Sequence, residues 1–310
     1  MGRYVARRLL QMIPVFFGTT FLIFFAVFTL PGDPVRALFG DRRPPQEVID
    51  AIREKYGLDD PFIVQYGKYM SNLFQGDFGV TLQGRDVLDV LSEAWPISIK
   101  LAVAAFAIEV IIGIVAGVLA GLRRGSFIDN LVLVSTTIVV SLPIFVIGFT
   151  VALLIGLPLA RNGILPSSGV GGGWRSYVLP GFVLASVSLA YLARLTRSSL
   201  SENLRSDYVR TATAKGLPRS RVVIRHTLRN SLIPVVTLLG VDLGVLMGGA
   251  IVTESIFNIP GIGRTIFQGI QNQEGSLVVG ITTVLVLIYL FATLLVDVLY
   301  ALLDPRIRYD

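Results

Sequence analysis

Asp207-Tyr208-Val209-Arg210-Thr211-Ala212-Thr213-Ala214-Lys215-Gly216 is a short, sharply bounded amphiphilic stretch in an otherwise strongly apolar chain. Asp207 or Ser206 can cap a helix starting at Tyr208, and Gly216 with Pro218 two residues on gives a stop. A helix of about nine residues is too short to persist alone in water, so it must pack on something. Its small residues Thr211, Ala212 and Ala214 suit a deep groove, with Arg210 and Lys215 flanking. The alternative is a helix lying on a membrane, held by basic residues against anionic lipid. The residues alone leave both open. On either side of the basic loop that holds this stretch, residues 194–230, the sequence turns into apolar runs long enough to cross a bilayer. That alternation predicts an all-α membrane protein that carries the stretch in a loop between two spans.

Of the 310 residues, 53% are hydrophobic and 15% charged, well below the roughly 25% charge of soluble domains. Six runs qualify as spans: Leu9–Leu30, Ile97–Gly121, Leu131–Leu157, Tyr177–Leu192, Leu232–Thr253 and Leu277–Leu303. The first is too long for a signal-peptide core and no small-residue cleavage site follows it, so it reads as a retained helix. Pro143 predicts a kink in mid-span in the third. The fourth is short and Ser-rich.

Orientation follows from Lys and Arg in the connections. With the N-terminus inside, the inner segments carry sixteen, nine of them in 194–230, against three (Arg161, Arg175, Arg264) in the two short outer segments. Both termini are therefore placed in the cytoplasm. The organisation expected is a first segment and span over 1–30, an extracytoplasmic insert over 31–96, a five-helix core over 97–303 and a cytoplasmic tail over 304–310. The insert carries eleven acidic and seven basic residues, with a helix expected near Gln46–Tyr56 ending at Gly57. Its negative surface suits an extracytoplasmic partner or a plain solvated cap.

Gly113, Gly117 and Gly121 recur every four residues in the second span, as do Gly240, Gly244 and Gly248 in the fifth. Such stripes let helix backbones approach closely, so both spans are expected to pack into a bundle. Three acids fall inside apolar runs, and each should face protein or water rather than lipid. Glu109 is in line with the Gly113 stripe and reads as a helix contact. Asp242 points away from its glycine face and is the candidate for lining a polar pathway. Asp297 lies nearer the inner end, within reach of arginines there.

One histidine, His226, and no cysteine give no support for the usual zinc sites or for Ser–His and Cys–His hydrolysis. No phosphate-cradling glycine loop followed by Lys-Ser or Lys-Thr is present, so any ATP and magnesium belong to another subunit and no cofactor is expected in this chain. A net charge of +6 is too small to imply nucleic acid.

Arg210 through Gly216, followed by Arg225-His226 and Leu232-Ile233-Pro234, resembles the coupling-loop motif of ABC import permeases. Arg210 and Thr211 stand where the generic motif has Glu and its first Ala, and Pro234 falls about five residues late. That departure is typical of the dipeptide/oligopeptide/nickel branch. Other segments are similar to the same branch: Leu30-Pro31-Gly32-Asp33-Pro34, Tyr56-Gly57-Leu58-Asp59 with Gln65-Tyr66, Gly76-Asp77-Phe78-Gly79 and Gly163 through Gly169. So are Thr253-Glu254 through Pro260-Gly261-Ile262-Gly263-Arg264 and Asp304 through Tyr309.

The resemblance implies a type I ABC importer permease fold and a place in the inner membrane. It implies a second similar permease, two ATP-binding subunits that hold ATP and magnesium, and an extracytoplasmic substrate-binding protein. Tyr208, Arg210, Thr211, Ala212, Ala214, Lys215 and Gly216 would form the element seated in an ATPase groove, with Ala212 a close contact and Gly216 the stop. Peptide is the cargo it favours, since these spans offer few of the His, Cys or carboxylate ligands expected of a nickel path. An ion-gradient transporter using Asp242 and Glu109 is the rival from another class, and the hydrophobic pattern shows no inverted repeat to support it.

Overall fold

The computed structural model describes residues 2–28, 45–56, 59–81, 83–247 and 250–303. The segment Leu30–Pro34, the expected stop at Gly57, Gly248 and the tail 304–310 lie outside the described residues. Among the described residues the chain is helical, with one isolated bridge, Val80 to Asp86, and no β-strand. Four helical stretches there are long and apolar enough to cross a membrane: Val5–Phe28, Val87–Leu122, Ile144–Arg161 and Gly173–Asn203. Shorter apolar stretches are Phe127–Ser141, Ile233–Asp242 and Gly275–Phe291.

The chain divides into two compact units. One gathers the described residues up to Trp95 and from Arg264 onward. In it, α1 (Gly2–Phe28) packs against the C-terminal helix Gly275–Leu303, and α2 (Gln46–Tyr56) and α3 (Phe62–Phe74) follow α1 in sequence. Phe21 and Phe24 of α1 meet Phe62, Tyr66 and Tyr69 of α3 at ring separations of 5.3–5.6 Å. Tyr69 Oη donates to Thr283 Oγ1 at 2.7 Å, and burial pushes its phenol up to about 12. Gly280 lets the Phe78 carbonyl come within 2.4 Å of where a Cβ would stand. Residues 62–78 are therefore packed within their unit.

The other unit is Pro96–Gly263. It holds the end of α4 (Val87–Leu122), then α5 (Phe127–Ser141), α6 (Ile144–Arg161), α7 (Val178–Asn203), α8 (Asp207–Ala214) and α9 (residues 219–231). It continues with α10 (Ile233–Met247) and α11 (Ile251–Ile256). The remaining helices are α12 (Ile262–Gln271) and α13 (Gly275–Leu303). Helix α7 is the centre, packing on α4, α5, α6 and α10. A core of Leu101, Ile147, Val151, Tyr177, Leu179, Val183, Phe257 and Ile259 joins these helices to α11.

Three spans differ from the sequence expectation, the fifth because α10 ends at Met247 and Ala250 (φ −121°, ψ 63°) precedes a separate α11. The third is not one kinked helix: α5 ends at Ser141, Leu142 is extended (φ −99°, ψ 136°), and α6 starts after Pro143. The proline ring disfavours the helical region for the residue before it, and here Leu142 takes the extended alternative. The fourth, which looked short, continues eleven residues beyond Leu192. Ser186 and Ser198 bond back onto their own helix, Ser186 Oγ to the Val183 carbonyl at 2.7 Å, and so leave its backbone ladder intact.

Candidate functional site

The helix predicted from the opening stretch is present as α8, beginning at Asp207. Ser206 holds the cap position but does not cap: its hydroxyl donates back to the Asn203 carbonyl at 2.6 Å. The start is instead tied to the end of α7, where Tyr208 Oη donates to Asn203 Oδ1 at 2.8 Å. The C-terminus has full cap chemistry. Gly216 adopts φ +76°, its N–H donates to the Thr213 carbonyl at 2.9 Å, and the Leu217 N–H reaches the Ala212 carbonyl at 3.3 Å. Nothing lies within 4 Å of a Cβ at Gly216, so conformation rather than space requires glycine there.

Val209 and Ala212 are buried against Leu217 and Val222, the latter on α9. The helix therefore spends its inner face on its own loop. Tyr208, Arg210, Thr211, Ala214 and Lys215 are exposed. Ala212, expected as a contact surface, faces inward and acts by seating α8. The far end of the loop is anchored too: Ser199 Oγ on α7 donates to the Ser231 carbonyl at 2.9 Å, and Ser231 Oγ donates to the Thr227 carbonyl at 2.8 Å.

Beneath this loop α7 is locked to its neighbours. A Cβ at Gly117 would lie 2.5 Å from Thr196 Cβ and 2.6 Å from the Ala193 carbonyl oxygen, and one at Gly113 would lie 2.8 Å from Leu192 Cδ2. Just before the apolar run that starts at Leu131, Asp129 is buried and paired with the Arg197 guanidinium through both oxygens, Nη2 reaching Oδ2 at 2.8 Å. The Gly125 N–H donates to Oδ2 at 2.8 Å. The hydrogen bonds from Arg197, aided by Gly125 and opposed by burial, hold the Asp129 carboxyl down at about 2. Sequence reading missed this pair; Asp129 three residues after Ser126 at a helix start was the available signal.

The two acids read separately from the sequence come together. Glu109, at the start of a π-helical turn Glu109–Gly113, has no exposed surface, and neither carboxylate oxygen has a hydrogen-bond partner among the described residues. Asp242 is the acid it interacts with. Around them Leu239 and Leu246 of α10 pack into apolar clusters that include Phe106. Gly240 is exposed with nothing within 4 Å, Gly244 lies on α10, and Gly248 is outside the described residues.

A third arrangement joins segments that sequence reading only quoted. Ser98 Oγ donates to the buried Glu254 carboxylate at 2.7 Å and accepts from the Ile262 N–H at 2.8 Å. A Cβ at Gly261 would fall 2.4 Å from Glu254 Oε1, so the glycine is what admits the carboxylate. Asn258, at φ +54°, closes α11, and the Gly169 N–H reaches the Phe257 carbonyl at 2.8 Å. The Gly163–Gly169 and Thr253–Gly263 segments are thus one structure.

Residues 113–309 match the family described as "Binding-protein-dependent transport system inner membrane component". Residues 1–102 match "Binding-prot-dependent transport system membrane comp, N-term". The chain is 37% identical, over the whole of both chains, to the dipeptide transport system permease protein DppB of Alkalihalophilus pseudofirmus. It is 38% identical, again over the whole of both, to the glutathione transport system permease protein GsiC of Escherichia coli strain K12.

Proposed function

The chain belongs to the family of binding-protein-dependent transport system inner membrane components, and from that premise we propose that it is the permease subunit of an ATP-driven importer of dipeptides or oligopeptides. The observation that carries the coupling role is α8: a short helix seated on its own loop, tied at both ends, with Tyr208, Arg210, Thr211, Ala214 and Lys215 turned outward. Full-length likeness to a dipeptide and a glutathione permease supports short peptides as cargo over nickel.

In this reading six helices cross the membrane, the insert follows the first, and both termini are cytoplasmic. A second permease completes the pathway. Two ATP-binding subunits hold ATP and magnesium and carry out hydrolysis, and an extracytoplasmic binding protein delivers the peptide. ATP closes the ATPase pair because it binds the closed arrangement better, and closure displaces α8. Helix α7 runs unbroken from α8 into the bundle, so displacement of α8 is passed to the spans. The exposed face around Gly240 is offered to the second permease, and Asp242 stands beside it on the pathway side of α10.

The test is uptake of a labelled dipeptide into vesicles holding the complete complex, with ATP on the ATPase side and a proton ionophore in a parallel run. Uptake that needs ATP and the binding protein and ignores the ionophore is the expected result. Uptake abolished by the ionophore and indifferent to ATP overturns the proposal.

A further inference from the structure

The loop helix acts on the membrane helices through what fixes α7 to its neighbours, and among the described residues a charged fixture stands there. Asp129, in the first turn of α5, is buried, and both its oxygens are taken by the Arg197 guanidinium. Arg197 lies six residues before Asn203, the residue that receives the Tyr208 hydroxyl of α8. The connection between α4 and α5 is drawn into the same knot. Gly125 donates to Asp129, Ser126 Oγ accepts from the Asp129 N–H at 3.3 Å, and Arg124 reaches Ser201 Oγ on α7 at 3.5 Å. A Cβ at Gly121 would fall 3.1 Å from the Arg197 carbonyl oxygen, so backbone contact backs the ion pair. The planar fork of Arg197 fixes angle as well as distance, which a point charge does not.

We infer that the Asp129–Arg197 clamp joins α8, the end of α7 and the α4–α5 turn into one body, so that displacement of the loop helix reaches the second and third spans together. Both are positioning residues: they touch neither nucleotide nor cargo. The assignment rests on the importer reading above for the source of the displacement. The close packing of Leu192, Thr196 and Leu200 on the glycine face of α4 holds the two helices together but carries no charge-directed bond. The ion pair, fixed in direction and with its carboxylate buried, adds that bond between α7 and α5. Opening it strands a buried carboxylate, an outcome the protein resists strongly.

The chain has no cysteine, so paired spin labels can be placed without background. Lys215→Cys and Leu131→Cys, both exposed, put one label at the end of α8 and one on α5. In the complete complex the account expects one narrow distance distribution, the same with and without ATP. Adding Asp129→Asn, which keeps shape but loses the charge, should broaden that distribution and shift it on ATP addition. In the same variant, peptide carried per ATP hydrolysed should fall about tenfold while ATP hydrolysis persists, within the range seen for residues on coupling paths. Arg197→Lys, which keeps the charge and loses the fork, should give the same change in milder form and stands in if the Asn variant does not assemble. A distribution in the variants identical to the parent's in both states overturns the inference, as does a parent distribution that itself shifts with ATP. The distances need no cargo, so they decide this point even if the complex proves not to carry peptide.

Discussion

The two glycine stripes have the same four-residue spacing and opposite fates. Gly113, Gly117 and Gly121 are pressed against Leu192, Thr196 and Leu200 of α7, so closely that a methyl group would collide at Gly113 and Gly117 and fit tightly at Gly121. Gly240 meets nothing within 4 Å and stands among the exposed side chains of Val236, Val241 and Val245. Glycine spacing says that a backbone can be approached; it does not say by what. The first stripe is used up inside the chain, where it packs α4 on the helix that leads to α8. In the second, Gly240 is left on the outside, where we place the second permease.

The largest expected effect is on the closed stripe. Gly117→Leu drives a branched side chain into Thr196 and the Ala193 carbonyl, and should cost on the order of 3 kcal/mol or more. The expected outcome is loss of monodisperse protein in detergent size-exclusion chromatography. Gly240→Leu should leave the melting midpoint of the isolated chain unchanged and abolish co-purification with the second permease. If the two substitutions destabilise the chain equally, the contrast between the stripes is broken.

Next are the seat and the stop of α8. Ala212→Asp places an unpaired carboxylate among Val209, Leu217 and Val222, at about 1–3 kcal/mol. Gly216→Val forces a β-branched residue to φ +76°, at about 1–3 kcal/mol. Both proteins should reach the membrane and hydrolyse ATP with the complex while peptide uptake is lost; normal uptake in both would remove α8 from the coupling path. Gly216→Asn should retain most uptake, because asparagine tolerates the left-handed conformation. That result would sharpen the finding that conformation, not space, selects the glycine.

The smallest effect is in pH. The Asp129 carboxyl is held at about 2 when folded and returns to about 3.9 when unfolded. The depressed value means that its contribution is fully present above about pH 4 and is lost as pH falls through about 2. The melting difference between the parent and Asp129→Asn should therefore be flat from pH 8 to 5 and shrink only below about 4. A difference that fades between pH 7 and 5 would mean that Asp129 is not the group responsible.

What the sequence disclosed and what it hid have physical causes. The limits of α8 were legible to within one residue because a left-handed glycine and a following proline are local signals. The apolar runs were legible because the bilayer demands length. The inward turn of Ala212 was not legible, because its partner Val222 lies on the next helix and small size suits a foreign groove as well as a home one. The break at Leu142–Pro143 read as a kink because a proline alone does not say whether its neighbours keep the helix. The Asp129–Arg197 and Glu109–Asp242 pairings were hidden because they join residues 68 and 133 apart in the chain, and no local pattern carries such a distance. Likewise Glu254 could be quoted as a motif, yet its partner Ser98 lies 156 residues earlier.

The account depends most on which face of α8 meets the ATP-binding subunit. Single cysteines at Arg210 and Lys215 on the outward face, and at Val209 and Ala212 on the inward face, can each be given a short photoactivatable cross-linker in the assembled complex. The account predicts cross-links to an ATP-binding subunit from Arg210 and Lys215 and none from Val209 and Ala212. Cross-links from the inward pair alone, or from none of the four, would contradict it.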